Sequence, residues 1–420
     1  MSFKISLKYG KETKEISLPE NNLMGVLRPA DFPKAANGMG EVRRALSEPI
    51  GSKPLSELAK GKENVVILVS DITRPVPSCE MLPPLMEELD RAGVKDEQIT
   101  IIFGLGNHRP HSREEQEELV GKEIFARLKC LDHNPHDCIS LGETSRGTPV
   151  EVFRPAAEAD FIIATGNIEL HYCAGYTAGN KALMPGICSK RSIEMNHRFM
   201  MESGTAPGKL VGNPMREDIE EAGAKAGVGF ILNVVLSPEN KIIRAVAGHR
   251  IRAHREGAEL VDKIYRRPIP HRADIVIARP GGSPKDSSLY QVQKGLENAG
   301  RAVRKGGIII LAAECGEQYG EPLFQEWITR ARSIDEPIQW IKEGFQLGAH
   351  KAAALCRVLM EKTAFLVSEM PRHMVEDCFF SYGHSVEEAL EKSFAQLGGD
   401  AKILVMPNAN TTMPLIESKN

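Results

Sequence analysis

Short, wholly apolar runs separated by amphipathic stretches set the pattern of this chain. Val65-Val66-Ile67-Leu68-Val69 contains no polar position, the mark of a parallel strand covered on both faces. Turn residues follow, Ser70-Asp71-Ile72-Thr73-Arg74-Pro75, and then a predicted helix over 81–92. The rhythm repeats with a strand over 98–103, the loop Gly104-Leu105-Gly106-Asn107-His108-Arg109-Pro110, and a helix over 112–128. Ser112 and Glu115 form a capping-box pair at its start. Further strands are predicted over 138–141, 149–153, 160–165, 231–236 and 241–247, with a helix over 251–266. Ahead of all these, residues 3–18 alternate in period two, the pattern of a hairpin, and helices are predicted over 41–46 and 54–59.

Arg267-Pro268-Ile269-Pro270-His271 reads as an interdomain linker, because paired prolines oppose both a helix and a central strand. Beyond it the βα rhythm restarts. Strands are predicted over 275–278, 308–312, 363–367 and 402–406, and helices over 289–303, 323–331, 352–361 and 385–397. Strands alternating with helices argue for two doubly wound α/β domains, residues 1–270 and 271–420.

Composition narrows the class. With 420 residues the chain exceeds one ordinary core; 42% hydrophobic and 26% charged residues fit a soluble globular protein. A net charge of −3 gives no support for nucleic-acid binding. No run reaches the roughly 20 apolar residues of a membrane helix, and residues 1–18 lack the apolar core of a signal peptide. The eight cysteines are dispersed and form no disulfide framework, which points to a reducing, cytoplasmic setting.

The unusual residues gather where ligands bind in open α/β sheets, just past the carboxyl ends of strands. Asp71 and Arg74 form either an Asx-type turn with a surface arginine or an arginine fork for a substrate carboxylate. His108, flanked by glycines, is either a loop histidine or a general acid/base. His111 makes a metal-like pair with His108, a weak signal in a loop. Cys130, His133, His136 and Cys138 are crowded into nine residues, which suits a loop better than a structural zinc site.

The fullest constellation runs from Gly166 to His197. It holds His171, a bend containing Gly175, Thr177 and Gly179, then Lys181, Pro185-Gly186 and His197. Glycine permits close backbone approach, and a framed lysine can meet a phosphate or form a covalent bond. The bend is neither G-x-x-x-x-G-K-[ST] nor G-x-G-x-x-G, so ordinary ATP and NAD folds are unsupported. Later in the chain, Tyr290-Gln291-Val292-Gln293-Lys294 opens a helix after Gly281-Gly282, with Gln291 and Lys294 on one face.

These pieces together resemble the nickel-pincer-nucleotide-dependent lactate racemase family of 2-hydroxyacid racemases and epimerases. The matching segments are Ser70 to Pro75, Gly106 to Arg109, His171 to Gly186, Glu194 to His197 and Tyr290 to Lys294. The resemblance implies two α/β domains with the active site in the cleft between them. It implies a pyridinium-3,5-bisthiocarboxylic acid mononucleotide tethered covalently through Lys181 and carrying nickel, with His197 as the protein ligand of the metal. It makes His108 and His171 the acid/base pair, with Arg74 and Lys294 binding or polarising the substrate. Asp71, Gly175, Thr177, Gly179, Tyr290 and Gln291 are placed around the cofactor. Proteins that make and insert the cofactor would be partners. Where the family often has Ser-Gly-Gly ahead of its lysine, this chain has Thr177-Ala178-Gly179-Asn180.

The implied reaction is racemisation or epimerisation of a 2-hydroxy acid such as lactate, malate, a longer hydroxy acid or gluconate. Removing the α-hydrogen as a proton would build charge beside a carboxylate. Moving it as hydride to the cofactor avoids that and leaves a planar 2-oxo acid. Two stereoisomers place their hydroxyls differently, so two bases are needed. The alternatives are a 2-hydroxyacid dehydrogenase that releases its oxo acid, and a non-catalytic nickel-nucleotide binding protein.

Overall fold

The computed structural model describes residues 2–346 and 348–417. Two compact units emerge: Asp31–Asp262, and Met1–Ala30 together with Lys263–Asn420.

The Asp31–Asp262 unit is built on a six-stranded sheet. Its spatial order is Ile242–Gly248, Val228–Leu236, Phe161–Asn167, Val65–Ser70, Ile99–Gly104, Lys129–Asp132. All neighbours are parallel except the first pair. The apolar run at 65–69 is buried throughout, as a strand covered on both faces must be. One face (Val65, Ile67, Val69, Ile101, Phe103) packs on Leu46, Met81, Leu85 and Leu89 from the helices Gly38–Ser47 and Ser78–Arg91. From Val65–Ser70 the chain first moves outward to Ile99–Gly104 and Lys129–Asp132. It then returns to the other side of Val65–Ser70 with Phe161–Asn167. That reversal opens a crevice at the carboxyl ends of two adjacent strands, the usual ligand position in such sheets. Asp71 leaves one of those strands and the His171–Lys181 segment leaves the other.

The other unit has an all-parallel sheet of order Ser381–Tyr382, Thr363–Val367, Val303–Ala312, Ala273–Ala278, Ile403–Met406, Leu23–Val26. Alternate residues face opposite ways. Val276, Ile309 and Leu366 pack on Leu289, Val292 and Leu296 of the helix Leu289–Ala302. Ile275, Ile308 and Ile310 pack on Ile5, Leu7 and Ile16 of the hairpin and on Leu390 of the helix Val386–Leu397. The hairpin pairs Ser2–Tyr9 with Glu12–Pro19, turning at Gly10 with φ +55°.

Two α/β units are therefore present, but their boundaries differ from 1–270 and 271–420. Residues 1–30 belong with the C-terminal unit because Leu23–Val26 adds a parallel edge strand beside Ile403–Met406. The proline-rich 267–271 stretch is no linker. Arg266–Ile269 pairs in parallel with Met413–Ile416. A two-stranded sheet is all edge, so Pro268 and Pro414 remove no hydrogen bond the pair cannot spare. The helix predicted over 112–128 breaks at Gly121, φ +85°, into Arg113–Val120 and Lys122–Arg127. The capping box at Ser112 forms as expected. Sequence patterning missed the helix Pro214–Lys225 and the strand Lys129–Asp132.

His133, one residue past that strand, is buried with its ring edge-on to Phe153 at 5.8 Å. Burial pushes its pKa from an ordinary 6.5 down to about 4, against the Cys188 contact and the Asp132 charge that oppose the shift. A histidine held neutral by folding contributes stability that is complete above its unfolded value and is lost as pH falls towards its folded value. Between pH 6.5 and 4 the loss from His133 comes to about 3 kcal/mol. Urea denaturation across this range should show the midpoint falling, and His133→Leu should flatten the fall.

Candidate active site

Asp71, Arg74 and His108 are brought together by the paired ends of adjacent strands. Asp71 is 4% exposed. Its Oδ1 lies 3.2 Å from His108 Nδ1, and its Oδ2 lies 3.8 Å from Arg74 Nε. The Thr73 amide donates to Oδ1 at 2.9 Å, and the Thr73 hydroxyl donates to the same atom. Burial works to raise the Asp71 pKa. The His108 hydrogen bond and the Arg74 charge outweigh it and hold the carboxyl well below its usual range. A carboxylate acceptor at His108 Nδ1 keeps the proton there and leaves the lone pair on Nε2, the arrangement of a general base. Arg74 is half exposed, so its guanidinium keeps donors for a carboxylate.

The segment from Asn167 to Gly186 is irregular yet mostly buried, so its backbone groups need partners. Residues remote in sequence supply them. Arg216, 1% exposed, donates from Nε to the Ala174 carbonyl at 2.9 Å and from Nη2 to the Tyr176 carbonyl. Asn213 Nδ2 donates to the Cys173 carbonyl at 2.7 Å, and His254 Nε2 to the Thr177 carbonyl at 2.8 Å. Asn233 Oδ1 accepts the Gly179 amide at 3.1 Å. Thr177 donates its hydroxyl to the Asn167 carbonyl at 2.6 Å. The far end of the bend is tied to the His108 loop by the Gly106 amide, which donates to the Gly186 carbonyl at 2.9 Å.

The glycines follow from this crowding. At Gly175, φ +76°, a Cβ would stand 2.1 Å from the Lys209 carbonyl oxygen. At Gly179, φ +59°, it would stand 2.8 Å from His254 Cδ2. These two positions and Thr177 thus shape the bend through contacts within the chain. Ala178 is held at φ 58°, ψ −163°, a region that suits only glycine.

His171 and His197 are held in opposite senses. His171 Nδ1 accepts the Ala174 amide at 3.1 Å, so the neutral ring carries its proton on Nε2. Tyr172 stacks on the ring at 4.9 Å. His197 lies on the helix Lys190–Arg198, capped by Ser189, and is 8% exposed. Its Nδ1–H donates to the Ile193 carbonyl at 2.7 Å, which leaves the lone pair on Nε2. Burial drives its pKa down to about 4. The Lys181 charge adds to this and the Ile193 carbonyl opposes it.

A neutral imidazole with its other nitrogen bonded to a carbonyl is the form that ligates metals. Among the described residues no three His, Cys, Asp or Glu side chains converge to hold a metal. A metal at His197 would therefore bring most of its own ligands. Asn167 Oδ1, both side-chain polar atoms of Asn180 and Asn196 Oδ1 are buried with no hydrogen-bond partner in the protein. Such atoms call for water or a bound polar group. The lysine of the bend and the neutral His197 suit a polar group that carries a metal.

Tyr290, Gln291 and Lys294 belong to the other unit, on the helix Leu289–Ala302. Gln291 is exposed and Lys294 partly buried. Lys351 Nζ donates to the Tyr290 carbonyl at 2.7 Å and lies 3.6 Å from the centre of its ring, which fixes the start of this helix.

Arg216, Asn213, Asn233 and His254 escaped sequence reasoning. Two of them left a trace. Asn233 interrupts the otherwise apolar Phe230 to Leu236, and His254 shares a helical stripe with Ala258, Val261 and Tyr265. Arg216 sits among charged neighbours and looks like part of a solvated face.

Fold and site thus define a two-unit α/β protein with titratable groups gathered at a strand-order reversal. Residues 9–208 match the lactate racemase N-terminal domain and residues 269–413 the lactate racemase C-terminal domain. The chain is 34% identical to the lactate racemase of Thermoanaerobacterium thermosaccharolyticum, over 96% of this chain and 97% of that one. It is 32% identical to the lactate racemase of Lactiplantibacillus plantarum, over 96% and 98%. The solved apoprotein of the Thermoanaerobacterium enzyme superposes with a TM-score of 0.93 at 32% identity, covering 98% of this chain and all of that one. A Thermotoga maritima protein shares the fold with a TM-score of 0.69 at 18% identity, covering 92% of this chain and 100% of that one. The chain belongs to the lactate racemase family and is an isomerase of the racemase class.

Two substitutions test the scaffold. Arg216→Met strands two buried carbonyls and should cost about 3 kcal/mol; hydrogen exchange should speed up across residues 171–186. Ala178→Gly relieves the backbone at that position and should raise stability by about 1 kcal/mol in thermal denaturation.

Proposed function

We propose that this chain interconverts the stereoisomers of lactate or a closely related 2-hydroxy acid, using a nickel-pincer nucleotide carried on Lys181. The observation that carries the reading is the Asp71–His108 pair beside Arg74, tied to the bend that holds His171 and Lys181, in a chain of this family. Lys181 Nζ would carry the pyridinium mononucleotide, and His197 Nε2 would be the protein ligand of nickel. When bound, this group would take up the substrate's α-hydrogen with its electron pair and return it to either face.

The chain's own residues do the rest. Arg74 pairs with the substrate carboxylate and holds it while the centre inverts. His108 accepts the hydroxyl proton at Nε2, and Asp71 stabilises the imidazolium through Nδ1–H. His171 begins from the opposite state, with Nε2–H as donor. To act as a base for the other stereoisomer it must give up the Ala174 amide. The two histidines thus start as one acceptor and one donor, which suits a reaction that moves a hydroxyl proton on and off. By the family resemblance, Lys294 would bind or polarise the substrate, and Tyr290 and Gln291 would contact the cofactor. Gly175, Thr177 and Gly179 take part by shaping the bend.

We place the enzyme in the cytoplasm, where its eight cysteines, all free thiols, stay reduced and the proteins that make and insert the cofactor act. No helix among the described residues is long and apolar enough to cross a membrane.

The deciding experiment uses protein from cells able to make the cofactor. Intact mass should show an adduct that Lys181→Ala abolishes, metal analysis should find nickel, and chiral chromatography should show lactate racemised. His108→Ala and His171→Ala should each lose turnover by at least about 100-fold while keeping the adduct. Net oxidation with an external acceptor would instead mark a dehydrogenase. An adduct without stereochemical exchange on any 2-hydroxy acid would mark a binding protein.

A further inference from the structure

His111 lies three residues beyond His108, and its task is different. Its imidazole is 1% exposed, edge-on to Phe103 at 5.3 Å. Asp132, the last residue of the strand Lys129–Asp132, takes two hydrogen bonds from it. Oδ2 accepts the His111 amide at 2.7 Å, and Oδ1 meets ring Nδ1 at 2.7 Å. The other ring nitrogen, Nε2, accepts the amide of Ile72 at 3.1 Å. An amide N–H can only donate, so Nε2 carries a lone pair and the proton of the neutral ring sits on Nδ1, facing Asp132.

The result is a chain of bonds across three successive strand ends, from Asp132 to His111 to the Ile72 amide. Ile72 follows Asp71, whose carboxylate receives His108. His111 is therefore bonded at both ring nitrogens inside the protein and offers nothing to a substrate. What it does is hold the turn that aims Asp71.

We propose that Asp132 and His111 are positioning residues for the His108 base: Asp132 fixes the His111 tautomer, and the His111 Nε2 acceptor fixes the Ile72 amide and with it Asp71. The proposal rests on the acid/base reading of His108. It has a sharp consequence at Asp132. In Asp132→Asn the side-chain oxygen can still accept the His111 amide. Its NH2 group then faces Nδ1 and drives the proton to Nε2, where it meets the Ile72 amide donor to donor.

The test uses adduct-carrying enzyme, with turnover of each lactate enantiomer expressed per loaded site. Asp132→Asn should keep its adduct, hold KM within about threefold, and lower kcat per loaded site by about 10- to 100-fold. His111→Gln, which can place an acceptor where Nε2 stood, should retain more turnover than His111→Asn, which reaches Asp132 but not Ile72. Nitrogen-15 spectra of histidine-labelled protein, assigned with His111→Gln, should show the His111 proton on Nδ1. A purely structural pair would instead lower the melting temperature and the loaded fraction and leave kcat per loaded site unchanged. That outcome, equal turnover in the two His111 variants, or a proton on Nε2 overturns the proposal while His108→Ala remains inactive. Full turnover in His108→Ala is a distinguishable result: it overturns the acid/base reading of His108, and this proposal with it.

Discussion

A backbone polar group taken out of water must find a partner, and an irregular segment cannot supply its own. The bend from Asn167 to Gly186 is governed by that constraint. Helices and strands pair their backbone groups internally; this stretch has a two-residue ladder between Leu170–His171 and Gly175–Tyr176 and a single 3-10 turn over Gly179–Ala182. The carbonyls of Cys173, Ala174, Tyr176 and Thr177 and the amide of Gly179 are met by side chains from Asn213, Arg216, His254 and Asn233, all of them buried. Arg216 is the extreme case. Burial pushes its pKa down to about 10, against the opposing charge of Glu220, and two of its donors still go to backbone carbonyls. A guanidinium kept this dry is retained for what it holds in place.

The second half of the site obeys the same economy at a strand-order reversal. Asp71 stands where the sheet opens, and its charge is sustained by His108, Arg74 and Thr73. Asp132 and His111 bring the third strand end into the same network. His108 is thus oriented by Asp71 and His197 by the Ile193 carbonyl, and both of those partners are buried. A group that must move a proton needs its geometry set before the substrate arrives. The two histidines proposed as acid and base differ in how they are set: a carboxylate holds Nδ1 of His108, and a backbone amide meets Nδ1 of His171. That difference gives a racemase one acceptor and one donor at rest.

Ala178 shows tertiary contacts overriding a local backbone preference. Glycine is the residue suited to φ 58°, ψ −163°, yet an alanine stands there, with Gly166 beneath it leaving only 3.2 Å to an added Cβ. The surrounding bonds from Asn233, His254 and Arg216 hold the backbone there regardless. The bend keeps its course because tertiary contacts, and not local preference, decide it.

The sequence by itself determined the central strands, since wholly apolar runs such as 65–69 admit only burial on both faces, and it marked the strand ends where unusual residues gather. Asp71, His108, His171 and Lys181 stood out as candidates because each is an unusual residue type just past such a run or inside a framed bend, whereas His197 was singled out through the family resemblance. Tertiary structure alone decided the rest. The hairpin and Leu23–Val26 join the C-terminal unit through a pairing with residues nearly four hundred positions away, which no local pattern records. The 267–271 stretch became a strand because its partner, Met413–Ile416, lies at the far end of the chain. The tautomers of His108, His111 and His171 followed from which atom each ring nitrogen meets. Nothing in the sequence marked Arg216 as a buried clamp, because the carbonyls it satisfies come within its reach only once the chain has folded.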